Sequence, residues 1–275
     1  MKQKGIAAVI DKRFKKIDSH FHSVITGFEI EPIHEFRTDI KKLRAFFRLL
    51  NVEIDEDRLK VSKRMKMLYG YGGTIRNFQL QLKNMHAYLA DPRYTIIEAY
   101  MEYLKKMIEK WKANAIEFNG QGSNFRDDNK KIHEQLPERL RRASVKKFLQ
   151  NKMSELAYLL KELPGDDVLH QIRKILKDIL YNWVFIKRYK KLLPPDFSTE
   201  EKIKPFTEIL GLFMDKSIGV ILLETYCKDC EENGLFIEKE MSELQEIERN
   251  WKREKQELMH IIYLNPGLQQ FSSVN

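Results

Sequence analysis

The sequence predicts an all-α protein. Residues that favour helices dominate it, and Gly and Pro are scarce, at 12 and 8 of 275 residues. Apolar residues recur at helical spacing along most of the chain, and no segment has the apolar–polar alternation of a half-buried strand. Because 43% of the residues are hydrophobic, the chain can bury a substantial core.

The periodicity predicts ten helices separated by short breaks. The second helix begins at Pro32, a residue that fits the first turn of a helix. The glycine-rich stretch 70–74 is interpreted as a turn between two helices, and Asp166 or Asp167 as the N-cap that follows the break at 164–165. Further breaks are expected at 91–94, 119–129 and 193–201. The predicted helices cover about 6–25, 32–50, 56–69, 73–90, 93–118, 130–162, 167–192, 200–213, 215–232 and 235–262.

Two pairs of segments indicate an internal duplication. Residues 169–186 align with 33–50 at an offset of 136, so that His170, Arg173 and Lys177 fall on His34, Arg37 and Lys41. The apolar positions of the two segments also agree. Further on, Lys204, Gly211 and Asp215 fall on Lys66, Gly73 and Asn77 at an offset of 138. The sequence therefore predicts two helical halves, about 1–140 and 141–275, related by a pseudo-twofold axis within a single domain.

Charge and cysteine content narrow the classes of function. The chain carries 49 basic and 40 acidic residues, a net charge of +9, which permits a polyanion as partner. Two cysteines, Cys227 and Cys230, are typical of a reducing compartment. No apolar segment approaches the roughly 20 residues of a membrane span. We expect a cytoplasmic protein.

The segment 33–50 carries a basic stripe that burial does not explain. On a helical wheel Phe36, Ile40, Leu43, Phe47 and Leu50 gather on one face, as expected of a core-facing helix. Beside them runs a second stripe, spaced by three or four residues. It contains His34, Arg37, Lys41, Arg44 and Arg48. Solvated helix faces usually mix both signs of charge, so a one-sign stripe indicates an anion site.

Other segments repeat this basic spacing. Arg139, Arg142 and Lys146 follow one another at intervals of three and four residues, and Lys60, Lys63 and Arg64 share a predicted helix face. The stretch 187–191 is interpreted instead as a solvated helix end, where cations interact favourably with the helix dipole.

The signature helix resembles that of the CHAD domain, the conserved histidine α-helical domain. Its pattern, H-x-x-R-x-x-x-[KR]-[KR]-x-R, is met in full by His34, Arg37, Lys41, Lys42 and Arg44. The second copy keeps His170, Arg173 and Lys177, has Asp178 and Leu180 where the family favours cations, and has the usual aromatic at Tyr181. The segment 73–79 resembles G-x-x-R-D-x-D, keeping Gly73 and Arg76 but having Asn77 and Gln79 for the acids. Segments 90–104 and 203–215 resemble two further family segments, so the resemblance covers about residues 6–260.

The resemblance implies two pseudo-symmetric four-helix bundles with a basic cavity or groove between them. It implies non-catalytic binding of inorganic polyphosphate or another polyanion, no cofactor, and possible association with polyphosphate granules. The predicted binding residues are His34, Arg37, Lys41, Lys42, Arg44, Arg48, Lys60, Lys63, Arg64, Arg76, Arg139, Arg142, Lys146, His170, Arg173, Lys174, Lys177 and Lys204. Because the second copy of the signature is less basic, we expect the tighter contacts from the first half.

Other functions remain open from sequence. RNA or DNA binding would interleave aromatic residues with the cations, whereas Phe36 and Phe47 fall on the apolar face. A histidine- or metal-dependent phosphatase and a granule scaffold are further alternatives. No metal site is predicted, because the histidines of the HFH triplet at 20–22 do not share a helix face. One C-x-x-C pair supplies half a zinc site, so Cys227 and Cys230 are interpreted as structural.

Overall fold

Ten α-helices form the described part of the chain. The computed structural model describes residues 1–55, 58–89, 91, 94, 97–120, 125–161, 165–234 and 238–268. The helices are α1 (Gln3–Gly27), α2 (Ile30–Ile54), α3 (Lys63–Tyr88), α4 (Glu98–Gly120), α5 (Arg126–His133), α6 (Arg142–Leu159), α7 (Asp166–Tyr181), α8 (Trp183–Ile186), α9 (Glu200–Glu232) and α10 (Glu238–Tyr263). Two short 3₁₀ segments precede α9: Lys187–Leu192 lies within the helix predicted over 167–192, and Pro195–Phe197 lies in the predicted break at 193–201. The all-α prediction is confirmed, and the described residues form no sheet.

Helix α2 lies at the centre of the packing. It contacts α1, α3, α6 and α7, while α7 also packs on α6 and α9, and α9 packs on α10 and α3. The predicted apolar face of α2 is buried from Ile33 to Leu50, and Pro32 lies in the first turn as expected. The basic stripe beside that face therefore runs along the seam where α2 meets α3 and α7.

Two predicted breaks are absent. Helix α3 runs without interruption through residues 70–74, so the predicted glycine turn is wrong. These glycines bring helices close together: a Cβ on Gly73 would lie 2.7 Å from Arg37 Cζ. Helix α9 is likewise continuous where two helices had been predicted, because no breaker interrupts it near residue 214.

Three predicted helix boundaries are wrong. The helix predicted over 130–162 is two helices, α5 and α6. Residues 134–141, which include Pro137, pair with the start of the chain, and Leu140 N donates to Met1 O at 2.8 Å. The helix predicted over 167–192 ends at Tyr181, where the buried Asn182 turns the chain and donates through Nδ2 to Ala45 O and Asp178 O. The N-cap of α7 is Gly165, not Asp166 or Asp167, which occupy the first turn.

Further predicted ends are shortened or lie outside the described residues. Residues 58–62 are not helical, and α4 begins at Glu98 instead of 93. Residues 56–57, 90, 92–93, 95–96, 121–124, 162–164 and 235–237 lie outside the described part, which includes much of the predicted breaks at 91–94 and 119–129. Among the described helices, none is both long enough and apolar enough to cross a bilayer.

Candidate anion-binding site

A basic pocket of about 190 Å³ lies where α2 crosses α7, with α3 contributing one wall. The two signature segments, 136 residues apart in the chain, meet here. The lining residues are Lys41, Arg44 and Arg48 from α2, Tyr69 from α3, and His170, Arg173, Lys174, Lys177, Asp178 and Tyr181 from α7. Seven of the eighteen binding residues predicted from sequence thus line the same pocket.

The lining holds six Lys or Arg side chains and one carboxylate, Asp178. Asp178 is only 2% exposed and accepts hydrogen bonds from Nε of Arg48, at 2.7 Å, and from its Nη2. Lys152 Nζ on α6 lies 3.8 Å from the same carboxylate. Asp178 is therefore committed to Arg48, and among the described residues no carboxylate lies within ion-pair distance of the pocket's other five cations.

Lys41 is the most crowded of these cations. It is half-buried, and the charges of Arg37, Arg76, Arg173 and Lys177 all act on it. Burial first, and then these neighbouring positive charges, lowers the pKa of Lys41 to about 7. An anion in the pocket would counter every one of these repulsions at once.

Arg37 forms the floor behind the pocket. Its guanidinium lies 4.0 Å from the centre of the Tyr69 ring and donates through Nη1 to the Tyr69 carbonyl. It rests directly on Gly73, where no side chain stands in the way. The guanidinium of Arg44 also lies over Tyr69, at 5.8 Å. The aromatic ring therefore holds two cations of α2 in place by cation–π contact.

Further basic side chains lie beyond the pocket, His34 on α2 and Arg76 on α3. Burial and the charge of Arg76 lower the pKa of His34, and burial and the charge of Arg173 lower the pKa of His170. The Nε atoms of Arg76 and Arg173 are buried and have no acceptor among the described residues. Buried donors without acceptors are costly, and they are groups that an anion can satisfy.

On the other side, α9 brings Lys204 and Glu208 towards Lys177. Burial and the charge of Arg173 lower the pKa of Lys177, while Glu208 opposes this shift and Lys204 adds to it. Burial also raises the pKa of Tyr181, so its hydroxyl stays protonated and able to donate.

The other predicted residues do not line this pocket. Lys42 pairs with Asp39 at 3.7 Å, and Arg64 donates to Asn119 and lies over Phe125. Lys60 and Arg139 precede their helices, so the predicted stripes at 60–64 and 139–146 do not lie on continuous helix faces. Lys63 and Arg142 are the first residues of α3 and α6, and Lys146 lies in the second turn of α6.

Sequence reasoning missed Tyr69 and did not include Asp178 and Tyr181 among the site residues. Tyr181 had a signal, since it matches the aromatic of the family pattern. Asp178 was noted only as a departure from that pattern. Tyr69 had no signal, because it reaches the pocket only through the contact between α3 and α2.

Two other groups of side chains have the residue types of a metal or thiol site. His20, Glu35 and Asp39 bring metal-type ligand atoms within 4.8 Å of one another. Asp39 is already bound by His20 at 2.9 Å and flanked by Lys42, and these contacts disfavour an added cation. Cys227 and Cys230 are buried free thiols, and burial raises the pKa of Cys227 to about 12, as expected of structural cysteines.

Comparisons with known proteins concern the family and the fold. The family model described as the CHAD domain matches residues 8–217. A crystal structure of the CHAD domain from the plant Ricinus communis superposes with a TM-score of 0.66 at 13% sequence identity, covering 98% of this chain and 90% of that chain. At this identity the likeness concerns the fold. No curated protein matches the sequence.

Proposed function

Because the chain belongs to the CHAD domain family, we propose that it binds inorganic polyphosphate in the pocket between α2 and α7. Binding is non-catalytic. The anion neutralises the crowded cations and releases the small counterions that otherwise surround them. A protein with this activity would accumulate where polyphosphate does, including granules.

One observation supports this proposal above the others. Six Lys or Arg side chains from two distant segments line one pocket, and the one carboxylate among its described lining residues is held by Arg48. Converging cations repel one another, so their arrangement weakens the fold unless a polyanion is bound. A flexible chain of phosphates can lie against several of them at once, with bidentate contacts to arginines such as Arg173.

The aromatic residues of the pocket favour plain phosphate over nucleic acid. Single-stranded nucleic acids bind by stacking bases on exposed aromatic rings. The ring of Tyr69 is covered by Arg37 and Arg44, and Lys177 Nζ lies 6.0 Å from the centre of the Tyr181 ring. The rings therefore hold cations and offer little surface for a base.

The lining also favours binding over hydrolysis. The described lining residues include no Ser, Thr or Cys that could serve as nucleophile, and the carboxylate of Asp178 is occupied by Arg48. His170 is the imidazole that a phosphatase would use, and the release of orthophosphate, measured below, would reveal that role. We therefore propose that the pocket binds polyphosphate as an intact ligand.

We propose further that the domain arose by duplication and consists of two four-helix halves. A matching contact in each half supports this. Gly73 of α3 faces Arg37, and Gly211 of α9 faces Arg173, where a Cβ would lie 3.4 Å from Nη2. The two arginines are 136 residues apart and the two glycines 138. The pocket would then lie on the pseudo-twofold axis, with the signature helix of each half on either side.

The test compares two double variants of equal charge. Lys174→Gln with Lys177→Gln removes two cations of the pocket, while Lys187→Gln with Lys191→Gln removes two exposed cations of the same half outside it. Binding of a labelled polyphosphate is titrated at several salt concentrations, with an RNA oligonucleotide as competitor. We expect the pocket variant to bind at least about tenfold more weakly and to lose roughly 1 to 2 units of salt slope.

The control variant is expected to bind nearly as the wild type does. Equal losses in both variants would mean that net charge, and not the pocket, binds the anion. Stronger binding of RNA than of polyphosphate at equal charge would favour the nucleic-acid alternative. Release of orthophosphate from polyphosphate by the purified protein would contradict the non-catalytic assignment.

A further inference from the structure

We infer that the pocket binds its anion together with one proton, which the amine of Lys41 takes up. This inference rests on the proposed function and adds to it a regulation by pH. Lys41 would act as a conditional ligand, whereas the arginines around it are permanent ones.

The geometry places Lys41 among cations of α2, α3 and α7. Its own helix α2 contributes Arg37, Arg44 and Arg48, α3 contributes Arg76 and the phenol of Tyr69, and α9 brings Lys204 and Glu208 next to Lys177. From α7, the groups that line the same pocket are His170, Arg173, Lys174, Lys177, Asp178 and Tyr181.

Glu208 acts on Lys177, and three other nearby carboxylates have partners of their own. Asp178 accepts from Arg48, and Asp39 accepts from His20 and lies next to Lys42. On α6, Glu155 is bound by Lys152 at 2.7 Å. Among the described residues, none of these acids is available to hold a proton on Lys41.

Burial and these positive charges lower the pKa of Lys41 to about 7. In the unliganded protein at pH 8, Lys41 is therefore mostly a neutral amine. When a polyphosphate enters, its negative charge acts against the surrounding cations, and the pKa of Lys41 rises towards its ordinary value. A proton from solvent then bonds to the Nζ lone pair, and the resulting ammonium offers three N–H donors to phosphate oxygens.

The sign of the pH dependence follows from this linkage. The bound state holds one more proton than the free state above about pH 7, so affinity falls as pH rises, by at most about tenfold per pH unit. The pKa values of His34 and His170 are both lowered from 6.5, so in the free protein these side chains titrate below this range. A bound anion raises the pKa of His170 as well, and the comparison with Lys41→Arg isolates the proton that Lys41 itself takes up.

The experiment measures protons taken up on binding tripolyphosphate. Calorimetric titrations near pH 8 are run in two buffers of different ionisation enthalpy, for the wild type, Lys41→Arg and Lys42→Arg. Arginine keeps the charge but does not titrate, so Lys41→Arg should take up about one proton fewer than the wild type. Its affinity should also change at least about tenfold less between pH 7.5 and 9.5. The ligand's own titration contributes equally to all three proteins.

Lys42→Arg is the matched control, since Lys42 is the neighbouring lysine and pairs with Asp39 outside the pocket. It should behave as the wild type does. Equal proton uptake in Lys41→Arg and the wild type would overturn the inference and leave the proposed function intact. Absence of tripolyphosphate and polyphosphate binding at every pH would overturn both.

A measurement without variants gives a second test. In the wild type labelled with ¹³C-lysine, one Nζ-bearing carbon should titrate near pH 7 in the free protein and well above pH 9 with tripolyphosphate bound. A spectrum in which every lysine titrates near its ordinary pKa in the free protein would overturn the inference, even if Lys41→Arg does not fold.

Discussion

Replacing Gly73 by alanine tests how the fold seats Arg37 behind the pocket. A Cβ at this position would lie 2.7 Å from Arg37 Cζ and 3.0 Å from Nη2. The guanidinium has little freedom to move away, because it lies against the Tyr69 ring and donates to the Tyr69 carbonyl. The substitution should therefore displace Arg37 from both contacts.

The expected magnitude follows from opposing effects. Alanine in place of glycine inside a helix stabilises it by about 1 kcal/mol. Loss of a hydrogen bond from a charged donor costs about 1.5–3 kcal/mol, and loss of a cation–π contact about 0.5–2 kcal/mol. We expect Gly73→Ala to lower the free energy of unfolding by about 1–4 kcal/mol, measured by urea denaturation followed by circular dichroism.

Gly70→Ala is the matched control in the same helix. It lies one turn earlier and is exposed, and a Cβ there would meet nothing within 4 Å. This variant should be about 0.5–1 kcal/mol more stable than the wild type. If Gly73→Ala is as stable as Gly70→Ala, Arg37 does not require a glycine at position 73, and the proposed packing of Arg37 on Gly73 is wrong.

Three further predictions concern the pocket. Asp178→Asn should lower the free energy of unfolding by about 3–5 kcal/mol, because Arg48 loses its carboxylate, yet it should strengthen polyphosphate binding, since Arg48 becomes available. Denaturation with and without polyphosphate measures both effects. Weaker binding by a folded variant would contradict the role given to Asp178. Lys41→Met should raise the free energy of unfolding of the unliganded protein by about 1–3 kcal/mol below pH 7, where the wild-type ammonium is charged, with a smaller gain at higher pH. This range allows for the partial solvent exposure of Lys41, which weakens the repulsion. Denaturation at several pH values measures the gain. Tyr69→Leu should weaken polyphosphate binding several-fold while Tyr69→Phe changes it little, because the ring and not the hydroxyl holds Arg37 and Arg44; equal affinities for both variants would refute this role.

Helical periodicity predicted which face of a helix is buried, because this depends only on the residue spacing within that helix. The apolar face of α2 is buried as predicted, and its basic stripe lies beside it, because both follow from 3.6 residues per turn. The internal repeat aligned the segment around His34 with the segment around His170 in the sequence. The convergence of Lys41, Arg173 and Lys177 came from the resemblance and not from spacing.

Residues whose role depends on a neighbouring helix were misread. Gly72 and Gly73 are typical of a turn when α3 is considered alone, but they allow α2 to approach through Arg37. Pro137 does interrupt the predicted helix 130–162, because its preceding residue is biased away from helix. That local signal was present in the sequence and was not used.

The pairing of Arg48 with Asp178 could not be predicted from spacing. The two residues are 130 positions apart, and their contact depends on how α2 crosses α7. Sequence reasoning placed Arg48 among the binding residues and noted Asp178 as a departure from the family pattern. The structure connects the two observations, because Asp178, the departure from the pattern, neutralises Arg48.

A crystal structure with tripolyphosphate bound tests the central claim most directly. The account predicts phosphate oxygens within hydrogen-bond distance of Lys41, Arg44, Arg173 and Lys177, in the pocket between α2 and α7. Phosphates bound only to exposed cations outside this pocket, with these four side chains making no contact to the ligand, would contradict it.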